Sequence, residues 1–273
     1  MRMALYQKWV LYILLLAAAS LMFFPIVYAL LASLMTTEEI MTGKLFPASF
    51  VFDNFTMALK SVPLLKFMVN SLIVSLTVMI GQIIVCSLAA YAIVFIPFKG
   101  RNFVFFLLIS TMMIPWEATM IPNYLTIVGL SWVNTYQGLS MPFFALAFGV
   151  FLLRQHFLTL PQELHESAQL DGCGRLRYLV SFVVPLSLPM LSALGVYGFL
   201  TTWNMYLWPL LTTTNNSVRT VQIGLKMMQA QETNTNWPVV MAGVVIVLVP
   251  TLLFLFLSLK QLKRGLMSGA LKG

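Results

Sequence analysis

Six long apolar stretches constrain the fold of this 273-residue chain more than any other feature. Each is long enough to cross a hydrocarbon core of about 30 Å, which takes roughly 20 helical residues. Because 60% of the residues are hydrophobic and only 9% are charged, too few polar side chains remain to cover a water-soluble surface. The sequence therefore predicts an all-α, polytopic membrane protein in a single domain, residues 1–273. The six predicted spans are residues 9–34, 67–96, 103–121, 138–157, 186–211 and 239–259.

The first stretch also has one property of a secretory signal peptide, because Arg2 and Lys8 precede its apolar run. The run is about twice the usual length of a signal-peptide core, and no convincing small-residue cleavage site ends it. We therefore expect a retained transmembrane helix.

The distribution of basic residues predicts the orientation of the helices. With the N-terminus inside, eleven of the sixteen Lys and Arg residues fall in inner segments and five in outer segments. Cytoplasmic loops carry the excess of Lys and Arg, so we expect both termini in the cytoplasm. The net charge of +8 then reflects topology and does not call for nucleic acid. The inner basic residues are Arg2, Lys8, Lys99, Arg101, Arg154, Arg175, Arg177, Lys260, Lys263, Arg264 and Lys272.

A polar segment, residues 158–185, lies between spans four and five and is cytoplasmic in this orientation. Thr159 is expected to cap a short helix, with Gln162 completing a capping box and Pro161 in the first turn. Gly172 is expected to end that helix and a second short helix to follow it. A short amphipathic helix in this position can dock into a partner protein or lie on lipid headgroups. The residues alone leave both interpretations open.

The same segment resembles the cytoplasmic loop of bacterial ABC importer permeases. In that family Glu-Ala-Ala is followed by three residues, Gly, nine residues and Ile-x-Leu-Pro. Here Glu166-Ser167-Ala168, Gly172 and Phe182-Val183-Val184-Pro185 keep this spacing, with Ser167, Phe182 and Val184 as departures. The stretches "LRQHFLTLPQELHESAQLDG", "WNMYLWPLL" and "RGLMSGALKG" are similar to the carbohydrate-uptake branch, of the maltose and glycerol-3-phosphate type.

The resemblance implies that the loop helix is a coupling helix, which sits in a cleft of a cytoplasmic ATPase and moves when two ATPases close on ATP. It also implies a second, homologous permease subunit and an extracytoplasmic solute-binding protein as partners. The C-terminal tail resembles one that reaches between the ATPases. The coupling residues implied are Glu166, Ser167, Ala168, Asp171, Gly172 and Arg175; Asp171 and Arg175 can equally belong to a solvated loop face.

The chain itself carries no signature of an enzyme. It has no Gly-x4-Gly-Lys-[Ser/Thr] motif, so ATP and Mg²⁺ are expected on partner ATPase subunits. His156 and His165 have no Cys or His neighbour at metal-ligand spacing, and Cys86 and Cys173 lie in such different segments that a disulfide is not expected.

Polar side chains near the predicted spans are candidates for the substrate pathway, since such groups are costly in a membrane. Glu117 lies near the outer end of span three, between Pro115 and Pro122, which suggests a broken helix, although an interfacial glutamate can also be hydrated. Asn70 is expected to cap span two. In span five, aromatic rings and hydrogen-bonding groups suit a sugar, although Trp and Tyr also form interfacial belts. These span-five candidates are Trp203, Asn204, Tyr206 and Trp208.

The expected function is import of a sugar or oligosaccharide across the cytoplasmic membrane of a bacterium, with this chain as half of a dimeric channel. The alternative solute is sn-glycerol 3-phosphate or a related polyol phosphate. A phosphate favours arginines facing the pathway, and Arg219 in an outer loop is the nearest candidate. A secondary transporter is a remote alternative, because it needs coupling carboxylates near mid-membrane and only Glu117 is near a span.

Overall fold

The computed structural model describes residues 5–229 and 235–270, with side chains for Tyr6 and for residues 8–229 and 235–259. The described residues form helices joined by short connections, with no strand among them. They group into two compact units: the described residues of 1–65 with those of 224–250, and the described residues of 66–223 with those of 251–273. The predicted role of the C-terminal tail, residues 264–273, falls outside the described side chains.

The described part of the first unit contains three complete helices and parts of others. The complete helices are α1 (Leu5–Ala32), α2 (Thr37–Met41) and α3 (Asp53–Ser61). Thr36 and Glu39 form a capping box at the start of α2, and the Glu39 carboxylate also accepts the backbone N–H of Ala48, at 2.8 Å. The buried amide of Asn54 donates to the carbonyls of Ser33 and Met35, which fixes α3 against the end of α1.

The second unit is built around α4 (Leu64–Phe95), an uninterrupted helix of 32 residues. The helices that follow are α5 (Arg101–Ser110), α6 (Trp116–Gly129), α7 (Tyr136–Ser140), α8 (Ala147–Phe157), α9 (Gln162–Leu170), α10 (Arg175–Tyr178), α11 (Val184–Leu186), α12 (Leu188–Trp203) and α13 (Leu207–Thr212). The last two helices of the chain are α14 (Val221–Gln229) and α15 (Trp237–Ala270).

Among the described residues, three helical segments are long and apolar enough to cross a membrane alone: Lys8–Ala32, Leu64–Phe95 and Trp237–Leu259. Three further helix pairs qualify as bent spans, which gives six spans when each pair counts as one. Their bend angles are 101° for Arg101–Met113 with Trp116–Gly129, 46° for Tyr136–Phe143 with Ala147–Phe157, and 81° for Arg175–Leu186 with Leu188–Trp203.

The helices of predicted spans three, four and five are each interrupted, and the interruption in span three is the broken helix expected around Glu117. Span three breaks at Pro115, which has extended backbone angles (φ −57°, ψ 136°) and begins α6 as its N-cap. Span four breaks at residues 144–146. The helix predicted to run to residue 211 ends at Trp203, and residues 204–206 are non-helical before α13 begins.

Candidate functional site

The polar segment, residues 158–185, contains the short helix that the sequence predicts, but without the predicted cap. Helix α9 begins at Gln162 with Pro161 as N-cap and no side-chain capping bond. The Thr159 hydroxyl donates to the carbonyl of His156 at 2.7 Å, and the Gln162 amide donates to the Glu166 carboxylate at 3.1 Å. The capping-box prediction was therefore wrong, because the Thr159 and Gln162 side chains form hydrogen bonds with other residues, His156 and Glu166.

The end of α9 confirms the prediction for Gly172. Its backbone adopts a left-handed conformation (φ +69°), which a residue without Cβ accepts at no steric cost. The N–H of Cys173 donates to the carbonyl of Ala168 at 2.8 Å, so the last turn is closed by the reversing chain. A Cβ at Gly172 would meet nothing within 4 Å, which leaves this turn open to an approaching partner.

One face of α9 is anchored and the other is exposed. Ala168 is buried, and the ring of His165 packs on Tyr178 and Phe95 with centroids at 4.8 and 5.2 Å. The Tyr91 hydroxyl donates to the carbonyl of Arg175 at 2.9 Å, so α4 also holds the start of α10. The exposed face of α9, the turn after it and the start of α10 carry Glu166, Ser167, Asp171, Gly172 and Arg175.

The predicted pathway residues divide between two breaks in the helices. Glu117 is exposed in the first turn of α6, directly after the break at Pro115. In the break between α12 and α13, Asn204 is exposed and Tyr206 is half-buried. The Asn204 amide donates to the carbonyl of Leu200 at 2.8 Å.

Aromatic packing brings these two breaks together. Trp116, beside Glu117, lies against Phe143 at 4.7 Å and against Trp208 at 5.7 Å between ring centroids. Trp208 is fully buried, and its indole N–H donates to the carbonyl of Gly138 at 3.0 Å. The second predicted tryptophan, Trp203, is also buried but stacks on Phe199 instead. Both tryptophans therefore act as packing and anchoring residues in this structure.

Asn70 has a different role from the cap that the sequence suggests. It lies inside α4 and is buried, and its amide donates to the carbonyls of Ser217 and Arg219 at 3.1 and 2.9 Å. The Tyr136 hydroxyl donates to Asn70 Oδ1 at 2.7 Å. An asparagine within an apolar run is the signal for such a site, since the membrane penalises an unpaired amide.

The described residues contain no group of three His, Cys, Asp or Glu side chains placed to hold a metal ion. The side chains at the two breaks offer hydrogen bonding, aromatic stacking and the carboxylate of Glu117.

Comparison with known proteins matches residues 82–266 to the model of a family described as binding-protein-dependent transport system inner membrane component. The chain is 36% identical over 253 residues to the sn-glycerol-3-phosphate transport system permease protein UgpE of Brucella suis biovar 1 (strain 1330), covering 89% of this chain and 90% of that protein. The protein of the same name from Yersinia pestis bv. Antiqua (strain Antiqua) is 34% identical over 264 residues, covering 93% and 94%.

Among solved structures, the fold matches a chain of a bacterial ABC transporter involved in the import of the acidic polysaccharide alginate. The TM-score is 0.83 at 22% identity, covering 95% of this chain and 99% of that chain. The match extends the likeness in fold over nearly the whole length of the molecule.

Proposed function

Because the chain belongs to the family of binding-protein-dependent transport system inner membrane components, we propose that it imports sn-glycerol 3-phosphate or a closely related polyol phosphate. The chain is the multi-pass permease subunit of an ATP-binding-cassette importer, and ATP hydrolysis is carried by separate subunits. It works with a second permease, two ATPases and an extracytoplasmic solute-binding protein.

The observation that supports this choice of solute is sequence identity along most of the chain. Relatives that are 34–36% identical over at least 89% of the chain are named as sn-glycerol-3-phosphate permeases. A match of that length includes the two breaks that hold Glu117 and Asn204, so it covers the candidate pathway as well as the scaffold.

A neutral sugar or oligosaccharide is the second candidate solute, and the side chains at the break between α12 and α13 favour it. Within residues 203–208, which include no basic side chain, exposed Asn204 offers an amide and half-buried Tyr206 offers an aromatic ring. This combination suits the hydroxyl groups and the faces of a sugar.

Reconstitution in proteoliposomes with the partner permease, the ATPases and the binding protein decides between the two solutes. ATP hydrolysis and uptake of labelled solute are measured with glycerol 3-phosphate and, separately, with a neutral oligosaccharide. Stimulation and uptake with glycerol 3-phosphate support the proposal. Stimulation by the oligosaccharide alone overturns it in favour of the second candidate.

Within this function, Glu117, Asn204 and Tyr206 contact the solute, and Trp203 and Trp208 support this wall of the pathway from its buried side. Broken helices are the usual way in which transporters place backbone and side-chain polar groups at a solute site. The aromatic contact between Trp116 and Trp208 supports a shared site, since it joins the break before Glu117 to the break that holds Tyr206.

We further propose that α9 and the turn after it dock into the ATPase. Glu166 offers a carboxylate to basic or amide groups, Asp171 and Arg175 add polar contacts, and Gly172 allows close backbone approach. Ser167 is on the exposed side, and Ala168 ties the helix to the permease. Exposure of one charged face on an otherwise anchored helix supports this assignment.

A matched pair of glycine variants tests the docking. Asparagine accepts a left-handed backbone, so Gly172→Asn keeps the turn while adding a side chain at the docking surface. Gly100→Asn is the control, because Gly100 is also exposed, has φ +84° and has nothing within 4 Å of a Cβ. We expect Gly172→Asn alone to lose ATPase stimulation and copurification with the ATPase. Wild-type behaviour of Gly172→Asn would return the segment to the lipid-surface interpretation.

The orientation belongs to the same proposal: both termini lie in the cytoplasm of a bacterial host. The excess of basic residues in the inner segments supports it.

A further inference from the structure

Helix α4 supplies side-chain donors to backbone carbonyls where its neighbour bends. Residues 144–146 interrupt the helical ladder between α7 and α8, and a hydrogen bond lost there has to be replaced inside a membrane. The Gln82 amide donates to the carbonyl of Phe143 at 2.9 Å, and the Cys86 thiol donates to the carbonyl of Leu146 at 3.4 Å. These two donors are four residues apart on α4, so one face of a single helix holds both sides of the bend.

The packing leaves Gln82 little freedom to move. Its side chain is 4% exposed, and a Cβ at Gly198 would overlap its Oε1. Oε1 itself has no hydrogen-bond partner among the described residues. An amide rotated by 180° would place an oxygen against the Phe143 carbonyl oxygen, so the observed orientation, with Nε2 as donor, is the one the site accepts.

The position of the bend gives this hydrogen bond a consequence for transport. Helix α8 runs directly from the bend to residue 157, and α9, the helix assigned above to ATPase docking, begins at Gln162. A force on α9 therefore reaches α4 by two routes: directly, through the contact of His165 with Phe95, and along the chain, through α8 and the bend. Gly149, near the start of α8, packs so closely on Cys86 that a Cβ would lie 2.8 Å from its sulfur.

From this geometry we infer that Gln82 is a positioning residue for energy coupling: its hydrogen bond to Phe143 sets the angle of the bend and thereby the resting place of the docking helix. Gln82 does not contact solute or ATP in this role. The inference rests on the proposed docking of α9. Its substitutions leave α9 itself unchanged, and this separates the two tests.

Two substitutions at Gln82 distinguish the effect of its hydrogen-bond donor from the effect of its side-chain size and shape. Gln82→Met keeps the length and removes the donor. Gln82→Glu also keeps the length, and its carboxyl group can donate to the Phe143 carbonyl only when it is protonated. Gln155→Glu, on the exposed side of α8, is the control for an added carboxyl group.

The measurement is solute uptake and binding-protein-stimulated ATP hydrolysis in proteoliposomes between pH 6 and 8, as the ratio to wild type at each pH. We expect solute uptake and stimulated ATP hydrolysis by Gln82→Met to be about three- to tenfold lower than wild type at every pH. This range corresponds to the net free energy of one hydrogen bond. Gln82→Glu should approach wild type as the pH falls, and Gln155→Glu should show no such trend. Wild-type activity of Gln82→Glu at all pH values, with Gln82→Met defective, also supports the donor role.

The inference is overturned if Gln82→Met retains wild-type coupling, or if both Gln82 variants are equally defective at every pH. Hydrogen–deuterium exchange over residues 141–150 of the purified permease supplies a readout that does not need transport. Faster exchange in Gln82→Met than in wild type is expected, and unchanged exchange contradicts a role at the bend. If Gly172→Asn behaves as wild type while the Gln82 variants behave as expected, the docking proposal fails and the bend assignment stands.

Discussion

Asn70 joins α4 to two other segments of the second unit through an amide whose donors and oxygen are all used. Tyr136→Phe removes only the hydroxyl that donates to Asn70 Oδ1. A buried acceptor is then left unpaired, which costs about 1–3 kcal/mol. We expect a lower midpoint of thermal unfolding for the purified permease. Tyr124→Phe is the control, because the Tyr124 hydroxyl has no hydrogen-bond partner among the described residues, and equal shifts for the two variants would contradict the assignment.

Glu39 makes the stability of the first unit sensitive to acid. Hydrogen bonds from the backbone N–H groups of Thr36 and Ala48 lower the pKa of its carboxyl group. A lowered folded-state pKa stabilises the folded protein above the unfolded-state pKa of about 4.3, and this stabilisation is lost as the pH falls through the folded-state value. We expect Glu39→Gln to lower the midpoint of thermal unfolding at pH 7. In acid, the difference in midpoint between this variant and wild type should become smaller. Glu38→Gln, at an exposed neighbouring site, should do neither.

At the scale of single residues, local rules predicted part of the site. Gly172 was predicted as a helix stop, since only backbone conformation decides that role. Thr159 was predicted as a cap, and it instead bonds the carbonyl of His156, a choice between two nearby partners that the sequence does not distinguish. The partners of Asn70 lie about 150 residues away along the chain, at Ser217 and Arg219, and no local pattern contains them.

At the scale of helices, close packing between α4 and α8 depends on Gly149. A methyl group there would lie 2.8 Å from Cys86 Sγ and 3.0 Å from a Leu194 methyl group. Overpacking of this kind costs about 1–3 kcal/mol, so Gly149→Ala should lower the unfolding midpoint. Gly129→Ala is the control, since a Cβ at Gly129 meets nothing within 4 Å. The double variant Gly149→Ala/Cys86→Ala should recover part of the loss; no recovery would mean that the Cys86 contact is not the cause.

Hydropathy predicted how many apolar segments there are, but not where they bend. The break at Pro115 has a local cause, and it was anticipated from the proline. The break at residues 204–206 also has a local cause in retrospect, because Pro209 has no N–H to donate to the carbonyl of Met205. The break at residues 144–146 has no proline after it, and the donors that accommodate it, Gln82 and Cys86, come from α4. Side chains of a distant helix cannot be assigned from an apolar window.

At the scale of the whole molecule, the balance of basic residues predicts orientation, and the native cysteines give a direct test. Cys86 is buried, whereas Cys173 is partly exposed in the loop after α9. A membrane-impermeant maleimide should therefore label the wild-type permease in inside-out vesicles and leave it unlabelled in right-side-out vesicles. Cys173→Ser should abolish this labelling.

An outer-loop cysteine completes that test, because it reverses the expected pattern. Ser49 is exposed in the segment predicted to lie outside, and serine and cysteine are close in size, so Ser49→Cys in the Cys173→Ser background should disturb the fold little. We expect labelling of this variant in right-side-out vesicles only. The charge asymmetry orients all the spans together. If Cys173 were labelled from outside and the new cysteine from inside, the whole topology would be the reverse of the one proposed. It would also move α9 away from the compartment that contains ATP, and the docking proposal would fail with the orientation.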